Sequence, residues 1–388
     1  MSPAAAELPR SVLLTYNDTS QNAPELTRVL KRFGCSVHHL QLTGHQPVLQ
    51  EATYRQQAAA RVIETIRRLR IEVYIPLFEE VFFLAAHREQ LGCRTLLCEP
   101  EVYLELHKKR RAALFCRKHG LPSVPTLLLE ADTTQGAVER FLGPRRPVFL
   151  KEDDSRGGYG SGSFWSVEAL FRKLDGAPPD QYVVQPSVDG DLWVIQGVFV
   201  DGVLWDYEIL RKLNIWDGRG TVRMLVFHRV EENEAALELL QRVGERTRYQ
   251  GMLEFECLGQ GDDLKILEFN PRFSGDFLHS PQTGSSLCVN TLRAYAGLEP
   301  LPHRSVQGRI TRNSWTLGRA FSRPGWRLRP VLDPRWPLRW FLAEARAGWT
   351  RLRHPYRACS PLPDSFTSFR ELPTPASARS RRTSSAAR

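Results

Sequence analysis

Short apolar runs alternate with helical periodicity through the first hundred residues, and this order limits the segment to very few folds. Val12 to Tyr16 is apolar, Leu26, Val29, Leu30 and Phe33 recur at helical spacing up to Gly34, and Cys35 to Leu40 reads as a second strand. A long helix from about Glu51 to Arg70 precedes the apolar strand Val73 to Phe78. Another helix then runs to Leu91, closed by Gly92, and Thr95 to Cys98 reads as one more strand. Parallel strands need crossover helices, so residues 1–100 are expected to form an α/β domain whose parallel sheet is covered on both faces.

The texture then changes. Glu101 to His119 is a basic amphipathic helix ending at Gly120, and Pro122 and Pro125 force an extended step. Val148 to Lys151, Tyr182 to Gln185, Val194 to Val200 and Val203 to Leu210 are strands joined by turns such as Asp201-Gly202, which predicts an antiparallel second module. Thr221 to Phe227 reads as a further strand. The helix Glu232 to Tyr249 leads into Met252 to Leu258 and Leu264 to Phe269, and Ser286 to Ala296 is a last helix.

The formal charge of +10 is unevenly spread. Residues 301–388 carry 18 Arg, no Lys and 4 acids, a net of +14, which leaves −4 on the first 300. The body is slightly acidic and the basicity belongs to the tail, so the overall charge does not point to nucleic acid as a specific partner of the body. No apolar run reaches the roughly 18 residues of a spanning helix. The N-terminus lacks a basic-then-apolar secretory pattern, so a cytoplasmic protein is expected. The seven cysteines show no CxxC pairing, which suits reduced structural thiols.

Three segments can carry chemistry. Lys151 stands at a strand end just before Arg156-Gly157-Gly158-Tyr159-Gly160-Ser161-Gly162. Such glycines let backbone N–H groups approach phosphate oxygens, although a tight β-turn uses the same composition. The loop lacks the Gly-Lys-Ser/Thr of a Walker A motif. Glu254 and Glu256 share one face of a strand, and Glu268 and Asn270 share a face of the next, so two or three hard oxygen donors can converge as Mg²⁺ requires. A solvated sheet face is the alternative. Between these lies Tyr182 to Asp191, an apolar strand running into a Pro-containing linker whose backbone groups can read an adenine edge.

The ordered set of Lys109, Lys151, the glycine loop, Gln185 to Asp191, Glu256, Glu268, Asn270 and Arg272 resembles the ATP-grasp superfamily. It looks closest to carboxylate–amine ligases with a carbamoyl-phosphate-synthetase-like core, over roughly residues 12–300. The resemblance implies a three-module α/β and α+β fold: an N-terminal parallel α/β domain at 1–100 and an ATP-grasp domain at 101–300. The latter comprises a small lid at about 121–190 and a metal-bearing C-terminal part. It implies that Lys109 (or Lys108) and Lys151 hold the phosphates of ATP and that Gly157, Gly158, Tyr159 and Gly160 close over them. Gln185, Pro186, Ser187 and Val188 would frame adenine and Asp191 would bind ribose. Glu256, Glu268 and Asn270 would hold one or two Mg²⁺, with Mn²⁺ able to substitute and Glu254 competing with Glu256. Arg272 would stabilise the transferring phosphoryl group. Where the family often has Glu at the hinge and ribose positions, this chain has Gln185 and Asp191.

The implied activity is ATP-dependent ligation of a small-molecule carboxylate to an amine. The alternatives are a carbamoyl- or acyl-phosphate-forming synthetase and a catalytically idle nucleotide-binding protein that recruits a partner or membrane. Arg211, Lys212 and Arg223 are candidates for a substrate carboxylate, with Asp276 and His279 beside them. Residues 301–359 form a basic Arg- and Trp-rich extension, and the composition of 360–388 predicts disorder. Within the extension, Leu338, Phe341, Leu342, Ala345, Trp349 and Leu352 share a helical face, which suits packing on the body or peripheral contact with a membrane or protein. No nucleic-acid motif accompanies it.

Overall fold

The computed structural model describes residues 9–16, 22–42, 52–144, 147–155, 161–213 and 227–312. Strand β1 (Ser11–Tyr16) is fully buried along its centre and pairs in parallel with both β2 (Ser36–Gln41) and β3 (Val73–Pro76), giving the order β2-β1-β3. The crossovers are α1 (Asn22–Arg32), which buries Leu26, Val29 and Leu30, and α2 (Ala52–Leu69), which buries Val62, Ile63 and Ile66. The parallel α/β layer expected from the alternation is therefore present.

Two expectations change here. The segment Thr95 to Cys98 is no strand. Only Arg94 bridges β3, and the carbonyl of Leu97 is taken by the Arg88 guanidinium instead of a ladder partner. The helix after β3 is broken into α3 (Glu80–Leu84), a 3₁₀ turn at Ala85–His87 and α4 (Arg88–Leu91), ended as expected by Gly92 in the left-handed region at φ 64°.

A third difference matters for the site. In place of one helix over 101–119, the chain forms α5 (Pro100–His107) and α6 (Lys109–Lys118), separated by Lys108 in an extended conformation. The break leaves new helix-start N–H groups, and Asp153 satisfies them. Its carbonyl accepts from Lys109 N at 3.3 Å and its carboxylate from Arg110 N at 2.7 Å.

The region expected to form the lid holds a small antiparallel sheet, ordered β4-β7-β5-β6, with its own helices. In chain order it comprises β4 (Leu127–Leu128), α7 (Gln135–Leu142), β5 (Val148–Glu152), β6 (Gly162–Phe164), α8 (Val167–Leu174) and β7 (Tyr182–Pro186). Leu129, Val138, Leu142, Leu150, Leu170 and Val184 form an apolar core separate from those of the rest of the chain. Thr134 and Ser166 cap α7 and α8 with their hydroxyls.

The large sheet is antiparallel. It contains β8 (Asp191–Val200), β9 (Val203–Leu213), β10 (Phe227–Glu231), β11 (Gly251–Gln260), β12 (Asp263–Asn270) and β13 (Ile310–Arg312), in the order β12-β11-β8-β9-β10-β13. Helix α9 (Glu234–Thr247) packs on one face, while α10 (Ser280–Thr283) and α11 (Leu287–Tyr295) lie near the site and the N-terminal layer. Residues 301–312 run back along this body, and β13 adds an edge strand to β10. The remainder of the extension, including the helical pattern at 338–352 and the tail 360–388, lies outside the described residues. Among those residues no helix is long and apolar enough to cross a membrane.

Candidate active site

Each strand of the large sheet contributes alternate side chains to one face, and the register decides which of them meet. Glu254 lies opposite Asn270, and Glu256 opposite Glu268, so all four candidate oxygen donors are neighbours on one face. The first pair extends into a row. Gln196 of β8 lies opposite Glu254, and Glu208 of β9 opposite Gln196. A bulge between Glu256 and Cys257 shifts the register just past the acids, a common device for re-aiming side chains near a site.

Contacts within this face are specific. Asn270 Nδ2 donates to Glu254 Oε1 at 3.0 Å, while Glu254 Oε2 is buried with no partner among the described residues. Lys212 is 7% exposed, and its ammonium bonds Glu256 at 2.5 Å and Asp276 at 2.9 Å. Burial disfavours the Lys212 cation, yet Asp276, Glu256 and Glu254 outweigh burial and hold its pKa above the usual lysine value. Burial pushes Glu254 well up. It also raises Glu256, against the pull of Lys212. Glu268 goes the other way: burial opposes its charge, but Lys151, Lys109, Lys212 and Arg272 keep it below the ordinary value.

The lysines come from the small sheet and from α6 beside it. Lys151, on β5, places Nζ 3.9 Å from Glu268 Oε2 and so joins the two sheets. Lys109 heads α6, where Nζ donates to the Ser155 carbonyl at 2.6 Å and lies 3.2 Å from Ser155 Oγ. Burial lowers the Lys109 pKa, and Lys151 adds to that, against the attraction of Glu268. Lys108 instead pairs with Asp154 at 3.6 Å, beside His107 at 3.2 Å, so of the two adjacent lysines Lys109 faces the cavity.

That cavity lies between the two sheets, lined by His107, Lys109, Thr126, Ser155, Gln185, Glu268 and Asn270, and measures about 40 Å³. Gln185 Nε2 donates to Thr126 Oγ1 at 3.0 Å, and its Oε1 is buried without a partner among the described residues. Pro186 ends β7, Ser187 N bonds the Pro147 carbonyl at 3.1 Å, and Val188 is half-buried in the linker between the sheets. Asp191 opens β8, but its carboxylate accepts from Arg211 at 3.1 Å and does not line the cavity. Gly190 and Gly259 cross backbone to backbone. A Cβ on Gly190 would stand 2.7 Å from Gly259, so this crossing excludes side chains.

Arg272 is buried beneath the N-terminal layer, its guanidinium 4.8 Å from the Phe78 ring centroid, with Nη1 donating to the Phe273 carbonyl at 3.2 Å. Gly157, Gly158, Tyr159, Gly160 and Arg223 lie outside the described residues. Sequence reasoning overlooked His107 and Ser155, which stand in charged runs beside the lysine and glycine-loop candidates, and Thr126 and His228, single polar residues next to apolar ones. It also left unseen that Lys212 is a buried ion-pair hub. Burial pushes the Cys98 and Cys116 thiols up to about 12, which suits structural cysteines and removes them as nucleophiles at neutral pH.

The acid row carries a pH signature. Glu208 accepts from Thr283 Oγ1 at 2.7 Å and from Gln196 Nε2 at 3.1 Å, and burial raises its pKa to about 7. Burial likewise raises Glu80, held by Thr15, to about 7. Because both folded pKa values exceed those of the unfolded chain, the folded state binds more protons at intermediate pH. Stability contributed by these two groups is thus complete near pH 4 and declines as pH rises to about 7. Glu80→Gln keeps the acceptor oxygen and is expected to flatten part of this decline in urea melts between pH 5 and 8. An unchanged slope would show that Glu80 is ionised throughout.

No family model matches the chain, and no curated protein does. Among solved structures, an L-amino acid ligase from Bacillus licheniformis superposes with a TM-score of 0.58 at 16% identity, covering 78% of this chain and 79% of that one. N5-carboxyaminoimidazole ribonucleotide synthetase from Thermus thermophilus gives 0.57 at 16%, covering 77% and 81%. The biotin carboxylase domain of Hydrogenobacter thermophilus 2-oxoglutarate carboxylase, solved with MgADP, ADP and bicarbonate, gives 0.57 at 16%, covering 78% and 73%. These similarities show that the chain has the fold of ATP-grasp enzymes.

Proposed function

We propose that this chain is an ATP-dependent ligase that activates a carboxylate as an acyl phosphate and joins it to an amine, releasing ADP and phosphate. The observation that carries this reading is the meeting of Lys151 and Glu268, far apart in sequence and on different sheets, at 3.9 Å beside a polar cavity that also holds Lys109, Gln185 and Asn270. Support comes too from the structural relatives, one named for ligating L-amino acids and one for making a carboxyamino compound.

The chemistry needs charge neutralisation more than a protein nucleophile. A carboxylate repels incoming amines until phosphorylation gives it a leaving group. Lys109 and Lys151 would offset phosphate charge, and Arg272, buried within the field of Glu268 and Glu254, would offset charge on the transferring group. The buried Gln185 Oε1 offers an acceptor for an exocyclic amine, and Glu254 Oε2 is a buried oxygen in want of a cation. Glu268, Glu256 and Asn270 are hard oxygen donors of the kind Mg²⁺ or Mn²⁺ takes, so the residues fit the metal. Bound there, Mg²⁺ would neutralise and align the phosphates.

A cavity of about 40 Å³ admits a few waters and not a purine. The separate core of the small sheet would let it move as one body to admit a nucleotide. The decisive experiment measures ADP release across carboxylates with and without an amine. Release that requires both substrates supports ligation, release with the acid alone points to an acyl-phosphate-forming synthetase, and nucleotide binding without any turnover would overturn an enzymatic role.

A further inference from the structure

On the same sheet face, β10 presents His228 opposite Lys212. The turn at Gly275–His279 brings Asp276 and His279 against it. One ligand atom from each of His228, Asp276 and His279 lies within 4.8 Å of the other two. The two Nε2 atoms stand 3.0 and 3.9 Å from the same oxygen, Asp276 Oδ1, and the imidazole centroids are 3.9 Å apart. His228 is 1% exposed and His279 0%. Even so, His228 Nδ1 and both nitrogens of His279 have no hydrogen-bond partner among the described residues.

Buried imidazole nitrogens with nothing to bond are costly, and they call for a ligand that supplies the missing interaction. Their arrangement suits a cation better than a bridging water, because one ligand atom from each of the three groups lies within 4.8 Å of the other two. Around Zn²⁺, nitrogen and oxygen ligands at about 2.0–2.1 Å lie roughly 3.3 Å from one another, a value between the 3.0 and 3.9 Å that separate the two Nε2 atoms from Asp276 Oδ1. Charge favours it as well: Asp276 stays ionised despite its burial. Lys212 grips Asp276 Oδ2 at 2.9 Å, which turns Oδ1 toward the histidines, and Ser274 Oγ accepts the Asp276 N–H at 3.1 Å, which fixes the turn.

We propose that His228, Asp276 and His279 form a binding site for a transition-metal dication of the Zn²⁺ type, distinct in its ligand set from the Mg²⁺ of a nucleotide but adjoining it, since Asp276 also lies within 4.8 Å of Glu254 and Glu256. Imidazole ligands select such ions over Mg²⁺, which takes oxygen donors and keeps its waters. Three protein ligands leave one tetrahedral position open to a small molecule. The site needs no nucleotide, so its test is independent of the ligase reading.

The full chain, stripped with a chelator and free of nucleotide, is titrated with Zn²⁺ in excess Mg²⁺, with Co²⁺ as the spectroscopic probe. One equivalent per chain, with visible Co²⁺ bands of a nitrogen-ligated site, is expected. His279→Asn and His228→Asn should each weaken Zn²⁺ binding by more than about tenfold. No Zn²⁺ uptake by the unsubstituted chain would overturn the site. So would undiminished uptake in both variants, which would place the ion on the acids or cysteines. Should the variants misfold, X-ray absorption on the Zn²⁺-loaded native chain decides, since an all-oxygen or sulfur shell excludes the histidines.

Discussion

Glu268→Ala is expected to lower ADP release by at least about 10²- to 10³-fold, the loss typical when a group that stabilises developing charge is removed. The carboxylate is held ionised by Lys151, Lys109, Lys212 and Arg272 despite its burial, so it is ready to share a cation with phosphate oxygens. Its side chain is 33% exposed and its contact with Lys151 is loose at 3.9 Å, so folding should lose little. Asn270→Ala is expected to act in the same direction, because Asn270 also steadies Glu254 at 3.0 Å. The readout is ADP release over a Mg²⁺ series, alongside a melting curve. Full activity in either variant would remove these residues from the metal site.

Lys212→Met is expected to cost about 3–5 kcal/mol of stability, the usual penalty for taking one member from a buried charge cluster. The variant leaves Glu256 and Asp276 facing each other without their shared cation. Two pKa shifts set the pH window. Burial works against the Lys212 cation but its acids raise the folded pKa, so its stabilisation is complete below the unfolded lysine value of about 10.4 and is lost only as pH climbs through the folded one. Burial works against Asp276 too, yet Lys212 and the histidines depress it well below the ordinary value. Its stabilisation is therefore present above about pH 4 and lost on further acidification. The deficit of the variant should hence be largest toward about pH 9 and shrink as pH falls, because without Lys212 the Glu256 and Asp276 carboxyls take up protons more readily. Urea denaturation at several pH values measures this, and a variant as stable as the parent would show that the ion pairs contribute nothing net.

The two acid pairs were legible because a strand has period two and the turn between Glu254-Phe255-Glu256 and Glu268-Phe269-Asn270 is short, which leaves little choice of register. Lys151 was legible as a strand-end cation. Lys109 was legible only through resemblance, since the helix break that aims it has its cause in Asp153, in the turn just after β5 and far along the chain. Lys212, Asp276 and His279 were legible as members of one pocket, but their ion pairing and the part of His228 were beyond reach for a similar reason. Both depend on β9 pairing with β10 and on a turn after Arg272 folding back over both strands, neither of which leaves a periodic trace. Thr95 to Cys98 misled because apolar content alone cannot show that a side chain will claim a carbonyl before a neighbouring strand does.

Residues 301–312 sew the start of the arginine-rich extension into the body. Asn290 exchanges bonds with both backbone groups of Leu301 at 2.9 and 2.7 Å, His303 stacks on Tyr207 with centroids 4.2 Å apart, and β13 pairs with β10. A chain trimmed at Pro300 would uncover the row of amides and carbonyls along β10, a template on which neighbouring molecules assemble edge to edge. Shortened versions made for crystallisation or assay should therefore retain Arg312, or precipitation will be mistaken for loss of catalysis.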